Sequence, residues 1–121
     1  MAISKIMVVD DSTVDLLNLK NIVSDAGYQV VTANSGQEAI DKSTTEMPDL
    51  IFMDVVMQQM DGYQACREIT HNGSTKHIPI IFVTSKGQKA DVMWAEMQGG
   101  KSLVQKPYTP AQIIEQINAF Q

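Results

Sequence analysis

Three aspartates in this 121-residue chain sit directly behind short apolar runs. Asp10 and Asp11 follow Lys5-Ile6-Met7-Val8-Val9, and Asp54 follows Leu50-Ile51-Phe52-Met53. Thr84 ends a later run, Ile78 to Val83, and Lys106 comes just after another, Ser102-Leu103-Val104. Short apolar runs bounded by turn residues read as strands buried on both faces, and such strands belong mainly to parallel sheets covered by helices. In an open α/β sheet, ligands bind in the crevice outside the carboxyl ends of the strands. Three carboxylates brought together there repel one another, so a cation has to compensate them. Hard oxygen ligands suit Mg²⁺, or Mn²⁺, in octahedral coordination with several waters retained. Lys106 can neutralise part of the charge, and Thr84 offers a hydroxyl donor. This set suits phosphoryl transfer, in which positioning and charge neutralisation dominate, with an aspartate as nucleophile. Taken alone, Asp54 also reads as a cap for the turn that follows it.

Helices are needed between these runs to hold them parallel. Ser12, with Asp15 three residues on, reads as a capping box in which Asp replaces the usual Glu. Val14, Leu17, Ile22 and Val23 then recur at helical spacing until Gly27. Tyr28 to Ala33 is strand-like, and Ser35-Gly36-Gln37-Glu38 is a second capping box, opening a helix that carries Ala39 and Ile40 and ends by Pro48. A helix after Gly62 carries Tyr63, Cys66 and Ile69, and Asn72-Gly73-Ser74 is a turn. Val92, Met93 and Met97, with Trp94 beside them, predict a fourth helix. Thr109-Pro110-Ala111-Gln112 supplies a cap, a proline at the first helical position and Gln in the capping-box place. Ile113, Ile114, Ile117 and Phe120 line the inner face of that last helix. Strand and helix alternate five times, which predicts an α/β fold with one doubly wound, five-stranded parallel sheet. In the flavodoxin-like strand order 2-1-3-4-5, the crevice lies between strands one and three, where Asp10, Asp11 and Asp54 converge.

The length fits one domain over residues 1–121. Fourteen acidic against nine basic residues give a net charge of −5, which argues against a nucleic-acid partner. Met1 to Lys5 enters a strand-like run at once and no apolar run is long enough to span a bilayer, so neither a signal peptide nor membrane insertion is expected. Cys66 is the sole cysteine, which leaves no internal disulfide and no thiolate metal site and fits a reducing cytoplasm.

With Asp10-Asp11, Met53-Asp54-Val55-Val56-Met57, Met60-Asp61-Gly62, Val83-Thr84-Ser85 and Lys106-Pro107 in this order, the chain resembles the receiver domains of two-component response regulators, of the single-domain CheY-like kind. The spacing of Trp94, Gln98-Gly99 and Lys106-Pro107 is similar to regulators of type IV pilus twitching and phototaxis. The resemblance implies a phosphorylatable signalling switch with no output domain, rather than an enzyme, assisting only its own phosphorylation and dephosphorylation. It implies that Asp54 accepts a phosphoryl group from a sensor histidine kinase or a phosphotransfer protein. Asp10, Asp11, Asp54 and the Val56 carbonyl would hold Mg²⁺, and Thr84 and Lys106 would contact the phosphoryl oxygens. Val56 and Lys86 would flank the path of an attacking water. The signal would reach a downstream protein target through helix four, strand five and helix five, with Ser85, Lys86, Trp94 and Leu103 as switch and output residues. A monomer or weak dimer is expected, and the Lys106-Pro107 bond is often cis in such domains. Two departures matter. Gln58 stands where the family usually has proline, and Leu103 stands where it often has an aromatic residue. Leu103 is expected to be buried and unable to reproduce an aromatic switch.

Two other functions compete. A Mg²⁺-dependent phosphohydrolase with an aspartyl nucleophile commonly has a second Asp two residues on, where this chain has Val56. An unphosphorylated adaptor, or a phosphate sink, would use the same fold without a switch, although adaptors tend to lose the acidic or lysine residues present here. Gly99-Gly100-Lys101-Ser102 looks like the end of a phosphate-binding loop, but the first glycine would fall at Ala95 and the order of helix and strand is inverted. His71 and His77 read as solvated loop residues, and Cys66 and the methionines as core packing.

Overall fold

The computed structural model describes residues 2–85 and 87–121. Five strands alternate with five helices: β1 (Lys5–Val9), α1 (Thr13–Asp25), β2 (Gln29–Ala33), α2 (Gly36–Thr45), β3 (Leu50–Asp54), α3 (Gly62–His71), β4 (Ile80–Thr84), α4 (Lys89–Met97), β5 (Ser102–Gln105) and α5 (Pro110–Ala119). The strands form one sheet in the order β2-β1-β3-β4-β5, and every neighbouring pair is parallel. This is the expected flavodoxin-like, CheY-like topology.

Successive side chains of a strand point to opposite faces, so each run feeds two cores. Met7, Val9, Ile51, Met53, Ile80 and Phe82 meet Ala39, Ala65, Cys66, Ile69 and Ala95 from α2, α3 and α4. Ile6, Val8, Leu50, Phe52, Ile81, Val83 and Val104 meet Leu19, Val23, Ile113 and Ile117 from α1 and α5. Both faces of β3 and β4 are therefore covered, and every residue of these two strands is buried. Asp49 ties the start of the sheet together: its carboxylate accepts from the Ser4 and Lys5 amides at 2.9 and 3.0 Å.

Several boundaries follow the predicted caps. The hydroxyls of Ser12, Ser35 and Thr109 accept from Asp15, Glu38 and Gln112 amides, and Gly27 leaves α1 with φ +98°. The Lys106-Pro107 peptide bond is cis. Asp61, of the Met60-Asp61-Gly62 motif, caps α3 by accepting from the Gln64 amide at 2.8 Å.

Four expectations are corrected. Ser12 caps α1, but the Asp15 carboxylate does not turn back to close a box; it bonds the Lys106 ammonium instead. Val14 and Leu17 are exposed, and Leu19 and Val23 form the inner stripe of α1 with Leu16 and Ile22 beside them. A shift of one or two residues along a helix moves the buried stripe around its axis, and α1 is apolar enough on both sides to hide that. Met93 and Met97 are exposed on α4, where Ala95 is the buried residue, so these two methionines are not core. Leu103 is only partly buried, packed against the cluster under α3 and α4. Among the described residues no helix is long and apolar enough to cross a membrane.

Candidate functional site

The carboxyl ends of β1, β3, β4 and β5 meet at one edge of the sheet, on either side of the crevice between β1 and β3. Asp10 leaves β1 with its amide bonded to the Ala33 carbonyl at 3.2 Å, and it is 4% exposed. Its carboxylate accepts from the Ser12 amide at 2.9 Å, the turn that starts α1. Asp11 is exposed beside it and accepts from the Gln58 amide at 3.0 Å, which ties the loop after β3 to the loop after β1. Asp54 ends β3 and is 8% exposed. One carboxylate oxygen from each of Asp10, Asp11 and Asp54 lies within 4.8 Å of the others.

The loop after Asp54 is held close to the pocket by Gly62. The Gly62 amide donates to the Val55 carbonyl at 2.8 Å. A Cβ on Gly62 would sit 2.1 Å from the Asp54 carbonyl oxygen, so only glycine fits this approach. Val56, in the same loop, is 57% exposed.

Lys106 supplies the cation. Its amide donates to the Thr84 carbonyl at 2.8 Å, which fixes the end of β5 against β4. Its ammonium donates to Asp10 Oδ2 at 3.0 Å and Asp15 Oδ2 at 3.1 Å, and lies 3.5 Å from Asp54 Oδ2. Burial pushes the Asp54 carboxyl up to about 6, the Asp10 charge adds to the rise, and the Lys106 ammonium opposes it. Burial works against the Lys106 charge, but its hydrogen bonds to Asp10 and Asp15 and the charge of Asp54 hold the ammonium protonated well above the ordinary lysine range. Thr84 is fully buried at the end of β4.

Five predicted site residues, Asp10, Asp11, Asp54, Thr84 and Lys106, thus come together at the strand ends. Of the predicted output residues that are described, Trp94 and Leu103 lie away from this cluster and Ser85 borders it. Ser85 is exposed next to Thr84 and lines a cavity of about 380 Å³ with Asp15, Asn18, Lys106, Pro107 and Tyr108. Trp94 is 48% exposed on α4, and Leu103 lies on β5. Lys86 lies outside the described residues. Asp15 is the site residue that sequence reading missed. Its place one turn into α1, a helix that starts at the pocket, was the available signal; its reading as part of a cap obscured it.

The pattern of the response regulator receiver domain family matches residues 6–118. The chain is 34% identical to Protein PilH of Pseudomonas aeruginosa, over 96% of each chain. It is 34% identical to chemotaxis protein CheY of Thermotoga maritima, over 94% of each chain. Chemotaxis protein CheY4 of Vibrio cholerae has the same fold, with a TM-score of 0.93 at 27% identity over 99% of this chain and all of that one. Against the probable transcriptional regulator ycf27 of Guillardia theta the chain is 36% identical but spans only 44% of that protein. The chain belongs to the response regulator receiver domain family, the signalling domains of two-component systems. The relatives PilH and CheY place it among domains of the CheY-like kind and fit the pilus and taxis subgroup.

Proposed function

We propose that this receiver domain is a phosphoryl-acceptor switch in which Asp54 takes a phosphoryl group from a sensor histidine kinase or a phosphotransfer protein. The observation that carries this reading is the Lys106 ammonium, 3.5 Å from Asp54 and anchored on Asp10, in a pocket where three carboxylates converge. An Asp54 oxygen attacks phosphorus, and the bond to the donor nitrogen breaks. Lys106 and the Thr84 hydroxyl meet the phosphoryl oxygens and offset their charge as it develops. Asp10, Asp11 and Asp54, with the Val56 carbonyl, would hold Mg²⁺ or Mn²⁺; the donor set is all hard oxygen, as those ions require. When bound, the ion neutralises phosphoryl charge and fixes the oxygens in place. The chain assists its own phosphorylation and dephosphorylation and goes no further as a catalyst.

The phosphoryl group would alter contacts to a downstream protein target through α4, β5 and α5; Trp94 lies on α4 and Leu103 on β5, and Ser85 and Lys86 precede α4 in the sequence. The domain acts in the cytoplasm, as a monomer or weak dimer, in a pathway of motility or taxis. An excess of acidic residues supports protein rather than nucleic-acid partners.

Incubation with acetyl phosphate and Mg²⁺ separates the readings by stoichiometry. A switch takes up one labile phosphoryl group per chain and releases it slowly. Continuous turnover of the donor would mean a phosphohydrolase instead, and no uptake would mean an adaptor.

A further inference from the structure

Asp15 lies outside the cluster of Asp10, Asp11 and Asp54, yet its carboxylate lies 3.1 Å from the Lys106 ammonium, nearer than Asp54 at 3.5 Å. The pair is not a surface accident. The Lys106 side chain is 20% exposed, and it is shared between Asp10 and Asp15. Asp15 is 47% exposed at its side chain, so its charge reaches both the pocket and the solvent in front of it. It also lines the cavity of about 380 Å³ with Asn18, Ser85, Lys106, Pro107 and Tyr108. That cavity opens on the Lys106 side of the pocket. Asp15 therefore stands beside the residue that a donor's phosphoryl oxygens would meet, in the cavity next to the acceptor.

We propose that Asp15 is a positioning residue that sets donor selectivity: it holds the Lys106 ammonium and keeps a negative charge beside the departing group, disfavouring donors whose leaving group departs as an anion and favouring those whose leaving group departs neutral. The inference rests on Asp54 being the acceptor. In either transfer, an Asp54 oxygen forms a bond to phosphorus as the bond to the leaving atom breaks. From acetyl phosphate the electron pair leaves on oxygen, and acetate departs with a full negative charge. From phosphoimidazole protonated on its far nitrogen, the pair returns to the near nitrogen, and imidazole departs neutral with its far proton retained. Asp15 repels acetate and can accept a hydrogen bond from the imidazole N–H. The second donor shares its leaving group with a phosphohistidine, so Asp15 tilts the domain toward a histidine donor and slows, without blocking, transfer from acyl phosphates.

The test measures phosphorylation rate constants with Mg²⁺ for wild type, Asp15→Asn and Asp15→Glu, with acetyl phosphate and with monophosphoimidazole. Asp15→Asn is expected to raise the acetyl phosphate rate about three- to thirty-fold, the effect of removing one partly solvated charge several ångströms away. The same variant should leave the monophosphoimidazole rate within about threefold of wild type or lower it, because the leaving imidazole goes from cationic to neutral and is at no stage repelled by that charge. Asp15→Glu, which keeps the charge, should keep the wild-type ratio between the two donors, and the gap between donors should shrink at high salt, which screens exposed charges. If Asp15→Asn moves both rates by the same factor, or slows acetyl phosphate, selectivity is not set here. Should circular dichroism show that Asp15→Asn is unfolded, Asp15→Ser removes the same charge and decides the matter by the same ratio. Asp54→Asn in each background separates the two claims. Uptake that survives it overturns the acceptor reading, whereas uptake that requires Asp54 with an unchanged donor ratio overturns only the role of Asp15.

Discussion

Burial and the Asp10 charge raise Asp54 to about 6, so at neutral pH the metal-free protein holds an ionised carboxylate that the fold disfavours. A pKa raised in the folded state means that the native protein binds more protons than the unfolded chain between the two values. The stability this contributes is fully present below the unfolded value of 3.8 and is lost as pH rises through about 6. Asp54→Asn removes the charge and keeps the shape. In chelator at pH 8 it is expected to be more stable than wild type by about 1–2 kcal/mol, a figure reduced for partial solvation of the site. The gap should close by pH 4 in denaturant unfolding, and a gap that does not change with pH would show that the site is not electrostatically strained. Asp11 is the exposed member of the cluster, and its carboxylate accepts from the Gln58 amide, a tie to the loop after β3 that alanine also removes. Asp11→Ala should weaken Mg²⁺ binding by more than about tenfold, since even groups that only support metal ligands cost that much. Calorimetric titration with Mg²⁺ checks it.

At the scale of the element, the loop after β3 and the helix α4 matter most. Gly62→Ala would press a methyl group onto the Asp54 carbonyl, and the loop carrying Val55 and Val56 would have to move. The expected cost is at least about 1–3 kcal/mol, the range for overpacking a tight site, together with slower phosphorylation. α4 is held by little: Ala95 is its buried residue, while Met93, Trp94 and Met97 are exposed. Tyr63 on α3 stands edge-on to Phe82 on β4, with centroids 4.9 Å apart, and edge-on to Trp94 at 6.4 Å. Leu103, without a ring, cannot reproduce an aromatic swing, and the ring contacts of Phe82, Tyr63 and Trp94 are the route by which a change in the pocket is expected to reach α4. Trp94 fluorescence is expected to change when beryllofluoride and Mg²⁺ are added, and Tyr63→Leu should reduce the change. A static Trp94 signal alongside demonstrated beryllofluoride binding would contradict this route. Because Leu103 is only partly buried, Leu103→Ala should cost about 1–2 kcal/mol, below the range for a fully buried leucine.

At the scale of the whole molecule, the sheet was legible because β3 and β4 are buried on both faces and read as unbroken apolar runs. Alternation of strand and helix then left few topologies, and the strand ends carried Asp10, Asp54, Thr84 and Lys106 to one edge. Helix faces were less legible. In α1 Val14 and Leu17 are as apolar as Leu19 and Val23, and only packing against the sheet decides which pair is buried. Asp15 was misread for a related reason: a local cap and a long-range bond to Lys106 use the same residue type, and the second was formed across 91 residues of sequence. The pocket joins loops after β1, β3, β4 and β5, so occupation of it should stabilise the whole domain rather than one element. Mg²⁺ added to wild type is expected to raise the unfolding temperature, by mass action, and to do so less in Asp54→Asn. Phosphorylation of Asp54 is tested most directly by intact mass spectrometry and site mapping after incubation of wild type and Asp54→Asn with acetyl phosphate and Mg²⁺. Wild type should gain a single phosphoryl group that maps to Asp54, and Asp54→Asn should gain none. Full incorporation by Asp54→Asn, or a wild-type label that maps to another residue, would contradict it.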